Sequence, residues 1–216
     1  MKRGLFIVLE GIDGAGTTTQ TALLEQALRS LGYPVVTTRE PTPGPIGSLI
    51  RQALARRLVD PTGEPLGADT MALLFAADRL DHGACVIGPA LARGAIVVSD
   101  RYDYSSVGYQ GLSGVRPFEE TAAWVRTLNA HAIRPDLVVV VDIDPAHAEH
   151  RRRSRGTPEE LYEIRELQAT LAQYYRTLGK YFPDDRIVTV DGDRPVGEVE
   201  LALWRVVEPL LTASES

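Results

Sequence analysis

The run Leu5-Phe6-Ile7-Val8-Leu9-Glu10-Gly11-Ile12-Asp13-Gly14-Ala15-Gly16-Thr17-Thr18-Thr19-Gln20 decides the fold. Five apolar residues form a buried strand, a glycine-rich turn follows, and a helix begins at the threonines. Glycines at 11, 14 and 16 let backbone N–H groups point into one concavity at a helix N-terminus, where a nucleotide's phosphates can be held. The usual form of such a loop is Gly-x4-Gly-Lys-Ser/Thr, the lysine reaching the outer phosphates and the hydroxyl binding magnesium. Gly11 and Gly16 have that spacing, and Thr18 holds the hydroxyl position. Thr17 stands where the lysine belongs.

An ordinary strand–turn–helix shares this outline, so the rest of the chain has to decide. Apolar runs rich in valine and isoleucine recur at 5–9, 34–38, 95–99, 137–143 and 187–190. They are short and almost without alternation, as in strands buried on both faces of a parallel sheet. Helical segments are expected at 18–31 (ended by Gly32), at 46–58, at 69–93 with a break near Gly88-Pro89, and at 118–132. Strands alternating with helices imply right-handed crossovers: an α/β, doubly wound, five-stranded parallel sheet in one domain over 1–216. Ligands of such sheets bind at the carboxyl ends of the strands. Those ends carry Glu10-Gly11, Arg39-Glu40, Asp100-Arg101, Asp142 to Asp144 and Asp191 to Asp193.

Composition narrows the function. The 216 residues carry a net charge of −6, which argues against a nucleic-acid polymer or an anionic membrane as partner but leaves room for a small anion in a local cationic pocket. Cys85 is the single cysteine, so no disulfide forms within the chain, and its helix is expected to pack it inside. No stretch approaches the ~20 apolar residues of a membrane span, and a cytoplasmic location is the expectation. His147 and His150 lie three apart without a cysteine partner, a poor metal site. The last residues, 212–216, are expected to fray.

Asp100-Arg101-Tyr102 follows the third strand, where the aspartate can hold magnesium through water and the arginine can grip phosphate bidentately. Phe75 and Arg79 lie four apart on one helical face and can address the same planar ligand. Asp144-Pro145 starts a helix that runs into Arg151-Arg152-Arg153-Ser154-Arg155-Gly156. Four arginines in five positions repel one another unless an anion gathers them. Thr157-Pro158-Glu159-Glu160 has the form of a capping box for a further helix, with Leu161, Ile164, Leu167, Leu171, Tyr174 and Leu178 as its core stripe. A short cationic connection between two helices, at about 151–160, suits a lid over phosphates.

These motifs, in this order, make the chain resemble the thymidylate kinases, P-loop enzymes that phosphorylate dTMP with ATP. The likeness spans nearly the whole chain. It rests on Glu10 to Gly16, Thr38-Arg39-Glu40-Pro41, Leu74-Phe75-Ala76-Ala77-Asp78-Arg79, Ser99-Asp100-Arg101-Tyr102, Tyr109-Gln110-Gly111 and Arg134-Pro135-Asp136-Leu137. The resemblance implies a P-loop fold with a short lid, ATP on the loop residues Gly11, Asp13, Gly14, Ala15, Gly16, Thr17, Thr18 and Thr19, and Mg2+ at Thr18 and Asp100. Asp13 would bind the acceptor's sugar hydroxyl and help position its phosphate, which Arg39 and Arg101 would hold. Phe75 would stack on the thymine and Arg79 would bond its carbonyl edge, with Ser106 near the base. Tyr109 would crowd the 2′ position of the sugar and Tyr162 would cover the acceptor. A homodimer is also implied.

Some family members place a helper arginine in the loop and others in the lid; Ala15 leaves this loop without one, so the match is to the lid kind. Three positions depart from the pattern: Thr17, Pro43-Gly44-Pro45 in place of a glycine pair, and Leu161 in place of an arginine. Catalysis is accordingly expected from Asp13 and Arg101 with lid arginines, Arg153 and Arg155 first. The alternatives are a kinase of another deoxynucleotide and a nucleotide-binding homologue that lost catalysis with the lysine.

Overall fold

The computed structural model of the chain describes residues 3–154, 161–162 and 164–215. Its five strands are β1 (Phe6–Glu10), β2 (Val35–Arg39), β3 (Ile96–Asp100), β4 (Leu137–Asp142) and β5 (Ile187–Asp191). Every pairing is parallel and the order is β2-β3-β1-β4-β5. β1 is central and wholly buried, with Ile7 opposite Val98 on one side and Leu137 on the other. Both faces are covered, so β1 and β4 need no polar alternation. No described helix is long and apolar enough to cross a membrane.

The loop after β1 feeds α1 (Thr17–Ser30), which buries Gln20, Thr21, Leu24 and Leu28 at three- and four-residue steps and ends before Gly32, at φ 87°. Right-handed crossovers put α1 on one face with α9 (Val196–Glu215), and α3 (Ala68–His82), α5 (Asp103–Ser113) and α8 (Arg165–Arg176) on the other. The packing agrees, α1 against α9, α3 against α5, and α5 against α8.

Several boundaries differ from the sequence reading. The second helix, α2 (Pro45–Leu54), stops short of 58, and Arg56 just beyond it takes a positive φ of 54°. The long segment after α3 is not broken at Gly88-Pro89. A π-turn over Gly83–Ile87 precedes α4 (Gly88–Ala92), so Pro89, which has no N–H to give, falls at the start of a helix. Cys85 in that turn is exposed, not packed. Its Sγ lies 3.5 Å from the Asp81 carboxylate, which pushes the thiol pKa up. The next helix, α6 (Phe118–Leu128), ends four residues before 132.

α5 was not foreseen, because Gly108 and Gly111 inside it read as loop. Both are there for contact: a Cβ on Gly108 would meet the Tyr174 ring at 2.7 Å, and one on Gly111 the Phe118 ring at 2.7 Å. α7 (Pro145–Ser154) begins where Asp144-Pro145 predicts, whereas α8 begins only at Arg165, after an exposed Ile164. Of the expected stripe, Leu171, Tyr174 and Leu178 are buried. The capping box Thr157 to Glu160, Arg155 and the lid beyond Ser154 lie outside the described residues. α9 extends to Glu215.

Candidate active site

Beyond the carboxyl ends of β1, β2 and β3 lies a cavity of about 600 Å³. It is lined by Asp13, Phe75, Arg79, Arg101, Ser106, Tyr109 and Tyr162, together with Glu40, Pro41 and Gln110. Seven residues chosen from sequence thus come from five separate segments to one space. Arg39, the last residue of β2, is exposed and is not among the lining residues.

At one end of the cavity Arg79 is fully buried on α3. Its guanidinium meets Glu40 Oε2 at 2.6 Å, Asn129 Oδ1 at 2.6 Å and Ser106 Oγ at 3.0 Å. Asn129 also donates Nδ2 to the Val125 carbonyl at 2.8 Å, which fixes which way its amide points. Glu40 is held in turn by His82 Nδ1 at 3.0 Å, and His82 Nε2 by Thr38 Oγ1 at 2.7 Å. Burial alone would depress the pKa of Arg79, but the carboxylates of Glu40 and Asp103 raise it. The result is a fixed planar cation one helical turn from Phe75, which is partly buried against the core.

The other end is organised by Arg101. Its backbone sits in the left-handed region at φ 74°, a conformation costing a bulky residue roughly 1 kcal/mol or more. The N–H donates to Leu9 O at 2.9 Å, and Ser99 Oγ donates to the Arg101 carbonyl at 2.8 Å, so the strand ends on both sides impose it. The guanidinium bonds Asp13, the Gly11 carbonyl at 3.0 Å and Ser105 Oγ at 3.1 Å, and lies 5.5 Å from the Tyr109 ring centre. Asp13 Oδ2 accepts from Tyr109 Oη and Gln168 Nε2, both at 2.8 Å.

Beneath them Glu10, with no exposure, accepts from Tyr102 N–H at 2.8 Å, Ser105 Oγ at 2.7 Å and Tyr175 Oη at 3.0 Å. Burial raises its pKa from 4.5 to about 7, against the opposing pull of Arg101 and these donors.

A second groove, about 790 Å³ and open to solvent, lies on the far side of the glycine loop, lined by Gly14, Ala15, Gly16, Thr19, Arg151, Gly192 and Arg194. Between groove and cavity, Thr18 Oγ1 donates to Asp100 Oδ2 at 2.5 Å, while the buried Asp100 Oδ1 has no hydrogen-bond partner. One hydroxyl and one carboxylate oxygen suit magnesium, which keeps its waters and takes the rest of its shell from phosphates. No cluster of three or more His, Cys, Asp or Glu able to hold a metal occurs among the described residues. Of the sequence-predicted lid arginines, Arg153 is exposed and paired with Glu149 at 2.5 Å, and Arg155 lies outside the described residues.

The sequence reading missed Gln168, Glu10, Ser105 and the Glu40–His82 pair. Gln168 is 1% exposed on α8 and clamps Asp13 twice, its Oε1 taking the Asp13 N–H at 3.0 Å. Its one visible signal is a polar side chain three residues before Leu171, on the buried face of the helix. Glu10 had a clearer one, a carboxylate directly after four buried strand residues.

A glycine loop at a central strand end, a hydroxyl–carboxylate pair beside it and a pocket with two arginines define a P-loop phosphotransferase that acts on a nucleotide. A model of the family "Thymidylate kinase" matches residues 9–202. A probable thymidylate kinase of Pyrococcus horikoshii is 42% identical over 187 residues, covering 86% of this chain and 88% of its own. One of Thermococcus kodakarensis is 39% identical over 211 residues, 96% of this chain and 98% of its own. The thymidylate kinase of Leifsonia xyli is 40% identical over 201 residues, 91% and 90%. The chain belongs to the thymidylate kinase family, whose members are nucleoside monophosphate kinases that use ATP and Mg2+.

Proposed function

We propose that the protein transfers the γ-phosphoryl group of ATP to dTMP, giving dTDP and ADP. One observation carries the substrate: a buried guanidinium, Arg79, held by hydrogen bonds to Asn129 and Ser106 and an ion pair with Glu40 at the end of a cavity that also holds Phe75. A planar base with a carbonyl edge suits that end, stacked on Phe75 and bonded by Arg79. Arg101 holds the acceptor's phosphate at the other end; Arg39, exposed outside the lining, could reach it only by moving inward. Asp13 orients Arg101 and takes the sugar hydroxyl. Tyr109 narrows the space beside the sugar, Ser106 adjoins the base, and Tyr162, whose ring centre is 5.4 Å from that of Tyr109, covers the acceptor.

Phosphoryl transfer needs alignment and charge neutralisation more than covalent help from the protein. The amides of the loop residues from Gly11 through Gly14, Ala15, Gly16 and Thr17 to Thr19 cradle the donor phosphates, with Arg153 and Arg155 added from the lid side. Thr18 and Asp100 hold Mg2+, which neutralises charge on the donor's outer oxygens when bound.

A homodimer and a cytoplasmic location complete the reading. Leu73, Ala77, Leu80 and Ala84 form an exposed stripe at four- and three-residue steps along α3 and the π-turn, the kind of face two helices can share. The lone, exposed thiol of Cys85 suits a reducing compartment.

A coupled assay with ATP, magnesium and each of dTMP, dUMP and dCMP tests the substrate. The expected result is the highest kcat/KM for dTMP. Equal or better turnover of dCMP contradicts the assignment, and no turnover of any of the three contradicts the activity.

A further inference from the structure

Glu10 ends β1 with no exposure, yet no step of the proposed transfer uses it. Four donors close on its carboxylate. The Tyr102 and Ser105 N–H groups meet Oε1 at 2.8 and 3.3 Å, and the Ser105 and Tyr175 hydroxyls meet Oε2 at 2.7 and 3.0 Å. The two amides can only donate, so a proton on this carboxyl group belongs on Oε2 and turns one hydroxyl round. Ser105 Oγ also accepts from Arg101 Nη1 at 3.1 Å, so two hydrogen bonds lead from the buried acid to the guanidinium at the phosphate end of the cavity. Arg101 is the cation whose field reaches Glu10. The other titratable groups facing it are the Tyr174 and Tyr175 phenols of α8, whose pKa values burial pushes up, so they stay protonated near neutral pH. Asp13, with the Tyr109 hydroxyl on it, pairs with Arg101 Nη2, and Val140, opposite Glu10 on β4, is buried and apolar.

Burial and Arg101 oppose each other at this carboxylate, and the balance leaves its pKa at about 7. A phosphate arriving on Arg101 upsets that balance twice over: it brings negative charge towards Glu10, and it draws on the guanidinium that the carboxylate had been sharing. We infer that Glu10 is a proton-linked positioning residue, which steadies Arg101 in the empty cavity as a carboxylate and takes up a proton from solvent when the acceptor's phosphate binds Arg101. The proton adds to Oε2, and the Ser105 or Tyr175 hydroxyl then accepts from it; no other bond forms or breaks. Part of the incoming negative charge is thereby offset by the loss of one beneath it, in a site where uncompensated buried charge is costly. The inference rests on the reading of Arg101 as the residue that holds the acceptor's phosphate.

The test is titration calorimetry at pH 7 in buffers of different ionisation enthalpy, which counts the protons taken up as dTMP binds to the parent, Glu10→Gln and Tyr175→Phe, with no donor or metal present. The second ionisation of dTMP is common to all three proteins and cancels in the comparison. The parent should take up about 0.4 proton more than Glu10→Gln, as a group half-protonated at pH 7 becomes about nine-tenths protonated. Thymidine, without the phosphate, should show no such difference. Tyr175→Phe removes a donor from Oε2 without touching Arg101, and should move the largest uptake to a pH above 7. Between pH 6 and pH 8.5 the parent should lose about five- to tenfold more affinity for dTMP than Glu10→Gln, which is fixed in the protonated shape. At pH 8.5 the glutamine variant should therefore bind dTMP more tightly than the parent, whereas replacing a residue that only supports the fold would weaken binding at every pH. The inference is overturned if Glu10→Gln takes up as many protons as the parent, if it binds dTMP no more tightly at pH 8.5, if thymidine gives the same difference, or if Tyr175→Phe leaves the pH of largest uptake unchanged. Should Glu10→Gln fail to fold, the shift in Tyr175→Phe decides alone. If dTMP binds with this proton count but is not phosphorylated, the kinase reading fails and the role of Glu10 stands. If dTMP does not bind, inorganic phosphate takes its place in the same buffers, and a protein that binds neither overturns both.

Discussion

The acceptor cavity and the donor groove lie on opposite sides of one glycine loop and are built in opposite ways. In the cavity, both arginines are held by partners from the protein itself. Arg79 has Glu40, Asn129 and Ser106, and Arg101 has Asp13, Gly11 and Ser105. In the groove, the loop brings glycines and no charge of its own at Thr17, and Arg151 of α7 and Arg194 stand among its lining residues. Preorganised partners save ordering cost at binding and fix specificity. A groove with few fixed charges binds a nucleotide that other pieces must then neutralise. On the proposed function, the acceptor is chosen by a rigid site and the donor is held by an assembled one.

Breaking the rigid side should cost most. Arg101→Ala removes the one cation between Asp13 and the buried Glu10, and kcat/KM for dTMP should fall roughly 10³-fold or more. Steady-state kinetics checks this; a loss under about tenfold would place the acceptor phosphate elsewhere.

On the donor side, Asp100→Asn should lower kcat roughly 10²–10³-fold while nucleotide affinity stays within a few-fold, and a chelator should abolish parent activity. If kcat hardly changes, Asp100 does not hold the metal, and its buried, unpartnered Oδ1 needs another explanation.

Glu10 sharpens the contrast through pH. Its pKa rises from 4.5 unfolded to about 7 folded. The stabilisation from keeping it protonated is therefore complete below 4.5, declines from there to 7 and is gone above, on the order of 3 kcal/mol in all. Glu10→Gln mimics the protonated form, so its melting temperature should lose less than the parent's between pH 5 and pH 8. Identical slopes would mean that Glu10 titrates normally.

The smallest effect belongs to Arg79→Lys. It keeps the charge but not the fork that bonds Asn129 and Ser106 while paired with Glu40, so KM for dTMP should rise about tenfold with KM for ATP within twofold. Equal weakening of both substrates would remove Arg79 from the acceptor site.

Local features were legible in the sequence, and paired ones were not. All five strands lie within about one residue of their expected ends; burial on both faces leaves the apolar runs of β1, β3 and β4, while the edge strands β2 and β5 are only partly buried. Asp13, Phe75, Arg79, Arg101, Ser106, Tyr109 and Tyr162, named from short motifs and the family resemblance, all line one cavity. What holds them was invisible. Gln168 reaches Asp13 across 155 residues and His82 reaches Glu40 across 42, and no single-segment pattern announces either. α5 was missed for a related reason: Gly108 and Gly111 look like breakers until Tyr174 and Phe118 are seen against them.

The difference between the two sides can be tested most directly by titrating dTMP calorimetrically into the protein, first alone and then with a non-hydrolysable ATP analogue and magnesium. A preformed acceptor cavity predicts binding without donor or metal, with the two dissociation constants within about threefold. No detectable dTMP binding until the donor analogue is present would contradict it, and would show that the acceptor site too is assembled on demand.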